Sequence, residues 1–343
     1  MKIKVAVVGF GHIGKRHSTI VSNNINYELV AIIDIKDPNE LNFSGFEKIP
    51  FFRSLNEFFE SKIKTDFVTI ATPNGFHEEQ SISSISNGCN VVIEKPMALT
   101  KTGCEKIINL ALKKQKNVYC VMQNRYSPTS KWLKEIVDSG VLGKIFLVQT
   151  NCFWNRDDRY YKPDKNGFPS GWHGSKKLDG GPLFTQYSHF IDLLYWVFGD
   201  FENIQFNSNN FSHSNSIEFE DSGLVSFNFK DKSQGVFSYS NSVFERNFES
   251  SITVIAENGT IKVGGQYMNE VEYVDIKNYK MPKLKEANPP NDYGPYKGSA
   301  ANHHYVYENI YKSLNGIEEI TTNALEGLKV VEIIENIYSK NIK

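Results

Sequence analysis

The 343-residue chain has no excess of charge of either sign: 38 basic side chains stand against 39 acidic ones, a formal charge of -1. It lacks the overall electrostatic footprint of a protein that binds nucleic acid or an anionic membrane. No apolar stretch approaches the roughly 20 residues that span a bilayer, so no membrane partner is expected. The four cysteines, Cys89, Cys104, Cys120 and Cys152, are scattered and form no CxxC pair. That argues against a structural zinc site or a disulfide framework and suits a reducing cytoplasm. Internal repeats and low-complexity tracts are also missing. The opening MKIKVAVVGFG is apolar but short, has no small-residue cleavage site and runs into a glycine pattern, so it reads as a buried strand rather than a signal segment.

What is present is a change of texture near residue 125, in a chain long enough for two domains. Residues 1–125 alternate apolar runs (KVAVVGF, YELVAIID, DFVTIAT, NVVIEKP, NVYCVMQ) with helical patterns. Continuous Val/Ile runs of this kind are strands buried on both faces of a parallel sheet. Residues 126–343 read as an α+β domain. A helix over Thr129–Ser139 and a strand over Lys144–Phe153 are followed by a long polar, aromatic loop over Trp154–Asp179. One helix is expected from Pro182 through FTQYSHFIDLLYWVF to Gly199. Alternating runs between Glu202 and Asp275 (GLVSFNF, GVFSYSNSV, SSITVIA, GTIKV) predict a largely antiparallel open sheet. Lys280–Ala301 reads as surface loop, before helices near Asn302–Leu314 and Asn323–Ser339. The C-terminal helix is a candidate to pack back on the first domain. The expected fold is α/β, a Rossmann domain followed by this α+β domain.

Gly9, Gly11 and Gly14 form GFGHIG between a strand run and a helical segment. In that setting the first glycine makes the turn, the second admits a pyrophosphate and the third lets helix and strand pack closely, while Phe10, His12 and Ile13 fill the loop. Amides of the helix N-terminus face the phosphates. Asp34 ends the second strand run, where a carboxylate accepts from the adenosine ribose and repels a 2'-phosphate, so the cofactor is expected to be NAD. Lys36 nearby is read as a solvated loop lysine. Two further strand runs end in polar turns, ATPNGFH with Thr72, Pro73, Asn74 and His77, and EKP with Glu94, Lys95 and Pro96. Ligands bind at that edge of a parallel sheet, although a plain salt bridge at a strand end is an equal reading of the EKP charges.

Together GFGHIG, ATPNGFH, EKP, LDGGPLFTQYSHFID and the two closing helices resemble the glucose-fructose oxidoreductase / inositol 2-dehydrogenase (Gfo/Idh/MocA) family over essentially the whole chain. The resemblance implies that Lys95 and His189 flank the nicotinamide and the reacting carbinol, and that the open sheet makes a homo-oligomer, a dimer or tetramer. The cofactor set is then Gly9, Phe10, Gly11, His12, Ile13, Gly14, Asp34, Thr72, Pro73, Asn74, His77, Glu94, Lys95, Gln123 and Trp172. The chemistry suits these residue types: oxidising a secondary alcohol needs a base for its proton, which an imidazole with a pKa of about 6.5 supplies. A lysine can stabilise the developing alkoxide, or act as the base itself once desolvated. Most family members resemble D-x-x-x-H here, whereas this chain has Thr185 four residues before His189. A hydroxyl cannot stabilise an imidazolium as a carboxylate does, which shifts weight to Lys95. Thr185 with Gln186 resembles the branch oxidising UDP-N-acetylglucosaminuronic acid at C3, where Asn stands at Thr185; the Gly common after the glutamine is Tyr187 here.

The 154–179 loop supplies Arg156, Arg159, Lys162, Lys176 and Lys177 as cations and Trp154, Tyr160, Tyr161 and Trp172 as flat faces. Flat faces suit sugar or uracil rings and arginine forks suit carboxylate or pyrophosphate. The substrate set expected is Lys95, Arg156, Arg159, Tyr160, Tyr161, Gln186 and His189, and the catalytic set Lys95, His189 and Thr185. His303 and His304 are adjacent, do not share a helical face, and read as a helix start at the surface, so no metal is expected. The leading function is an NAD-dependent dehydrogenase of a UDP-N-acetyl-hexosaminuronic acid for surface polysaccharide (lipopolysaccharide, O-antigen) assembly. An NAD-dependent glycosidase using transient 3-oxidation and a non-catalytic dinucleotide-sensing regulator are the alternatives.

Overall fold

A computed structural model describes residues 1–162, 171–292 and 297–341. Parts of both expected loops, 163–170 and 293–296, lie outside the described residues. The chain divides into two compact units, Met1–Met122 with His303–Val331, and Gln123–Asn302 with Glu332–Lys343.

The first unit opens with β1 (Ile3–Val8), α1 (His12–Asn23), β2 (Tyr27–Ile33), β3 (Phe51–Phe52), α2 (Leu55–Glu60), β4 (Phe67–Ile70), α3 (His77–Ser86), β5 (Asn90–Ile93), α4 (Lys101–Lys114) and β6 (Val118–Cys120). The strands form one sheet in the order β3-β2-β1-β4-β5-β6, and every pair is parallel. This is the doubly wound order of a dinucleotide-binding domain, with its crevice where β1 and β4 meet and the winding reverses. The apolar runs are central because they are buried: Val5, Ala6, Val7 and Val8 are at most 3% exposed. Helix ends follow local chemistry. Thr100 caps α4 by accepting from the Gly103 amide, and Lys113 and Lys114 lie in its last turn, where cations complement the helix dipole. The two-residue β3 is an addition to the five strands expected, too short to show a period in sequence.

The second unit begins with α5 (Pro128–Asp138), β7 (Ile145–Phe153), α6 (Asp158–Tyr161), α7 (Pro182–Thr185) and α8 (Ser188–Phe198). It continues as β8 (Phe201–Asn209), β9 (Ser222–Phe229), β10 (Gln234–Ser240), β11 (Glu249–Ala256), β12 (Gly259–Gly264), β13 (Glu270–Ile276), β14 (Pro290–Asp292) and β15 (Lys297–Ala300). Seven strands form a sheet ordered β13-β12-β11-β7-β10-β9-β8, antiparallel except for the β7–β10 pair. Central β7 alternates burial along its length, with Val148, Thr150 and Cys152 inside. Two expectations are corrected here. The single helix from Pro182 is broken at Gln186 and Tyr187, whose side chains reach tertiary partners: Gln186 Nε2 donates to the Tyr160 hydroxyl at 2.9 Å, and the Tyr187 hydroxyl lies 2.7 Å from Asn241 Oδ1. The 280–301 stretch is not all surface loop, because β14 pairs with β15 and Asn291 and Ala300 are buried.

The chain closes with α9 (His303–Leu314) and α10 (Ala324–Tyr338). α9 and the first half of α10 group with the parallel sheet, whereas the 126–343 domain expected from sequence contained them. The cause is side-chain and backbone pairing within the first unit: the Tyr307 hydroxyl reaches His17 and Thr69, and the Thr322 carbonyl accepts the Cys120 amide.

Candidate active site

In the first unit the glycine loop bends through Gly9 at φ +85°, where a Cβ would stand 2.6 Å from the Ala71 carbonyl oxygen. At Gly14 a Cβ would stand 1.8 Å from the Gly9 oxygen, so only glycine lets α1 approach the turn. Gly11 faces open space within 4 Å and is exposed with His12, leaving the first amides of α1 accessible to an anion. Asp34 Oδ2 accepts the Phe10 amide at 2.6 Å and Oδ1 the Lys36 amide at 2.9 Å, which locks the end of β2 to the loop. The loop residues thus fit a dinucleotide: a phosphate cradle at Gly9–Gly14 and a fixed carboxylate for a ribose. Phe10 itself is fully buried, packed against Phe43 and Phe46 at 5.1 and 5.4 Å, so its side chain builds the loop rather than facing a ligand. Ile13 is half-buried. Arg53, not singled out from sequence, reaches over this rim to the Ile35 carbonyl and lies 3.5 Å from Asp37.

The two polar turns meet through His77. Its Nδ1 lies 2.7 Å from the Pro96 carbonyl and its Nε2 2.9 Å from the Thr72 carbonyl, and the ring is fully buried. Burial lowers its pKa against the raising effect of those carbonyls. His77 therefore staples the turns together. Thr72 Oγ1 donates to Gln80 at 2.6 Å, Thr72 and Pro73 are half-buried, and Asn74 is buried. Lys95 is half-buried at the end of β5. Glu94, 6% exposed, turns its carboxylate to His17 and His303. His303 is 1% exposed, which corrects its reading as a surface residue, while His304 remains half-buried. His17, Glu94 and His303 are the group of described residues with metal-ligand spacing, all three ligand atoms lying within 4.8 Å of one another.

In the second unit His189 is 3% exposed, and its Nε2 lies 3.2 Å from Gln123 Nε2, which also donates to Ser299 Oγ at 3.1 Å. Thr185 donates its hydroxyl to Asp179, a fully buried carboxylate that also accepts the Gly174 amide at 2.9 Å. Asp179 was invisible as a site residue because it sits six positions before Thr185, across the double-glycine turn.

The loop cations separate into two kinds. Arg156 is 3% exposed and its guanidinium donates to the carbonyls of Asn155 and Lys297 and to Asn247 Oδ1, beneath the rings of Trp154 and Tyr160. It braces the fold where sequence suggested an open fork. Arg159 is exposed but pairs with Asp157 at 2.7 Å, and Lys162, Lys176 and Lys177 are exposed. Tyr161 is core, its hydroxyl accepting from Asn241 at 3.0 Å and its pKa pushed up by burial. Tyr160 stacks on His173 at 4.2 Å, and half-buried Trp172 meets the same imidazole at 3.8 Å. Tyr160, Arg156 and Gln186 are thus joined, as are His189 and Gln123. Lys95 belongs to the first unit and His189 to the second.

Comparison with known proteins supports this architecture. A family model described as an oxidoreductase family with NAD-binding Rossmann fold matches residues 3–122, and the GFO/IDH/MocA C-terminal domain matches residues 131–262. The WlbA dehydrogenase of Chromobacterium violaceum, solved with NADH and UDP-GlcNAcA, is 29% identical with a TM-score of 0.85 over 99% of this chain and 93% of that one. The WlbA dehydrogenase of Bordetella pertussis, in complex with the same two ligands, is 28% identical with a TM-score of 0.84 over 99% and 96%. D-glucoside 3-dehydrogenase of Escherichia coli is 26% identical over 57% of this chain and 54% of its own length. The chain thus spans about half the length of that curated relative. The glycine loop and the two polar turns at the edge of a 3-2-1-4-5-6 sheet, together with both matched domains, place the chain in the GFO/IDH/MocA oxidoreductase family.

Proposed function

We propose that the chain is an NAD-dependent dehydrogenase that oxidises a secondary alcohol of a sugar nucleotide, C3 of a UDP-N-acetyl-hexosaminuronic acid, in surface polysaccharide assembly. The observation that carries this reading is the end-to-end likeness to two dehydrogenases solved with NADH and UDP-GlcNAcA. NAD, held at Gly9–Gly14 and Asp34, supplies the hydride acceptor. Lys95 and His189 are the groups assigned to the reacting hydroxyl. One takes its proton while the other donates a hydrogen bond to the oxygen as negative charge develops there. With Thr185 engaged by Asp179, His189 has a hydroxyl rather than a carboxylate four residues before it, so more of the stabilisation of the developing charge falls to Lys95. Arg159, Lys162, Lys176 and Lys177 are the exposed cations suited to an anionic substrate. The protein is assigned to the cytoplasm as a homo-oligomer, joined through the second sheet, from which Leu224, Ile255 and Tyr273 stand exposed.

The test is to supply NAD with UDP-GlcNAcA and with a panel of neutral UDP-sugars while following nicotinamide absorbance and product by mass spectrometry. A product lighter by two hydrogens from the uronic acid, and not from the neutral sugars, is expected. Free hexosamine released without net NADH would sink the dehydrogenase reading in favour of a glycosidase.

A further inference from the structure

Glu94 follows β5, immediately before Lys95, and is almost wholly buried, yet its side-chain contacts run to imidazoles. His17 Nε2 from α1 lies 2.8 Å from Glu94 Oε1, and His303 Nε2 from α9 lies 3.4 Å from the same oxygen. The two rings meet edge to face at 5.4 Å. The other carboxylate oxygen, Oε2, accepts the backbone amide of Lys95 at 3.2 Å.

Behind His17 a chain of hydrogen bonds leads away through Tyr307 to Thr69, at 2.9 and 3.0 Å. One proton arrangement satisfies all of it. Thr69 donates to the Tyr307 oxygen, Tyr307 donates to His17 Nδ1, and His17 Nε2–H donates to an ionised Glu94. Tyr307 is itself held by Tyr27, whose hydroxyl donates to the Tyr307 carbonyl at 2.7 Å. Burial alone would raise the Glu94 carboxyl, but the hydrogen bond of His17 and the His303 imidazole facing the same oxygen outweigh it and hold the group well below the usual carboxylate range. The charged neighbours are Arg16 beside His303, and Lys95 and His77 across the turn.

A metal ion would be a second way to explain three such ligands. Two ligands about 2.0–2.1 Å from tetrahedral zinc stand about 3.3 Å apart. The His17–Glu94 separation of 2.8 Å is a direct hydrogen bond instead. His303 makes no hydrogen bond from either ring nitrogen among the described residues, and its Nε2 is aimed at Glu94 Oε1. A buried imidazole in that state is costly unless it serves the carboxylate it faces.

We propose that His17 and His303 are positioning residues that act through Glu94 on Lys95. They keep a buried carboxylate ionised next to the lysine, which favours its ammonium form and fixes the turn that presents it. The proposal rests on the reading of Lys95 as the group at the reacting hydroxyl.

The test uses the full chain with its lysines dimethylated by 13C-formaldehyde, the Lys95 signal being assigned by its loss in Lys95→Ala. In the wild type that signal is expected to stay flat from about pH 5.5 to about pH 8, because Glu94 is ionised throughout. In the His17→Asn/His303→Asn variant Glu94 loses its imidazole partners while its burial remains, and a step is expected inside that interval as its carboxyl is raised. Adding Glu94→Gln should abolish the step. The kcat of the double variant should follow the same step while KM for NAD stays within about threefold, a split that a general loss of structure would not give. If the double variant does not fold, His303→Asn alone carries the test with a smaller shift of the same sign. A flat signal in the variant, a step that survives Glu94→Gln, or one equivalent of zinc in the wild type that is lost in His303→Asn overturns the proposal. The Lys95 reading fails separately: if Lys95→Ala keeps turnover, Lys95 is not catalytic, whatever its signal reports about Glu94.

Discussion

The cofactor turns of the first unit and the aromatic loop of the second are built by opposite means. Around Gly9–Gly14 the geometry is set by backbone: a positive φ, a helix with no room for a Cβ and a carboxylate bound to amides. In the loop after β7 it is set by side chains from distant segments, such as Arg156 donating to Asn247 and to the Lys297 carbonyl. A backbone-built site tolerates change in its side chains but not in its glycines. A side-chain-built site fails wherever a buried donor is removed, and this difference can be broken or sharpened by substitution.

The largest effect belongs to Lys95, where the first unit is assigned chemistry rather than binding. Lys95→Ala should lower kcat by about 10²–10⁴-fold while NAD affinity stays within about threefold. Steady-state kinetics beside nicotinamide fluorescence titration would measure both, and wild-type turnover in the variant would remove Lys95 from the reaction. Next comes Gly14→Ala, whose new Cβ must displace the Gly9 carbonyl. A loss of about 2–4 kcal/mol, or failure to bind NAD, is expected from urea unfolding and titration. A variant of wild-type stability that binds NAD normally would show that the loop is not backbone-limited.

In the second unit Arg156→Ala should cost about 2–3 kcal/mol, because it removes three buried hydrogen bonds, to the Asn155 and Lys297 carbonyls and to Asn247 Oδ1, together with the packing of the guanidinium on Trp154 and Tyr160. Arg159→Ala, at the surface, should leave the melting temperature unchanged and raise KM for an anionic substrate. If the two arginines exchange these behaviours, the division between brace and contact drawn from their burial is wrong. A smaller effect is expected at Asp34. Asp34→Ala should weaken NAD by roughly tenfold, the loss of one or two hydrogen bonds to a ribose, and narrow the preference over NADP. Isothermal titration with both dinucleotides would decide it.

The same contrast explains what the sequence disclosed. GFGHIG, ATPNGFH and EKP are short, and their meaning is carried by adjacent backbone, so the parallel sheet and its polar edge were legible. The break between α7 and α8 was not, because Pro182 to Phe198 has helical apolar spacing throughout and the interruption comes from Tyr160 and Asn241, outside that segment. Arg156 and Arg159 look alike in the sequence, and only the packing of Asn247, Lys297 and Trp154 around one of them separates brace from surface charge. Nothing near His303 in the sequence marks it as buried, because its partner Glu94 lies more than two hundred positions away. The one local signal was GHIGKRH, which puts His17 on the turn of α1 after the glycine loop, and it gained meaning only once α9 was seen to return to the sheet.

A pH-dependent effect follows from that return. Burial lowers the His303 pKa from 6.5 to about 4 despite the opposing pull of Glu94, so the folded protein leaves this imidazole neutral where the unfolded chain protonates it. Between those two values the unfolded state binds the extra proton, and stability must therefore fall as pH falls, by at most about 1.4 kcal/mol per pH unit. Above about pH 6.5 the group makes no pH-dependent contribution. His77, also lowered by burial, adds a slope of the same sign. The ionised Glu94 acts in a lower window, since its carboxyl is held below the usual range and its contribution is lost only on further acidification. Urea unfolding of wild type and His303→Asn at several pH values from about 7 to about 5 would separate them, with the variant expected to lose part of the slope and to keep the share of His77. Identical slopes would mean that His303 takes up its proton in the folded state, in which case it is cationic beside Glu94 and the carboxylate is held by charge rather than by a neutral imidazole.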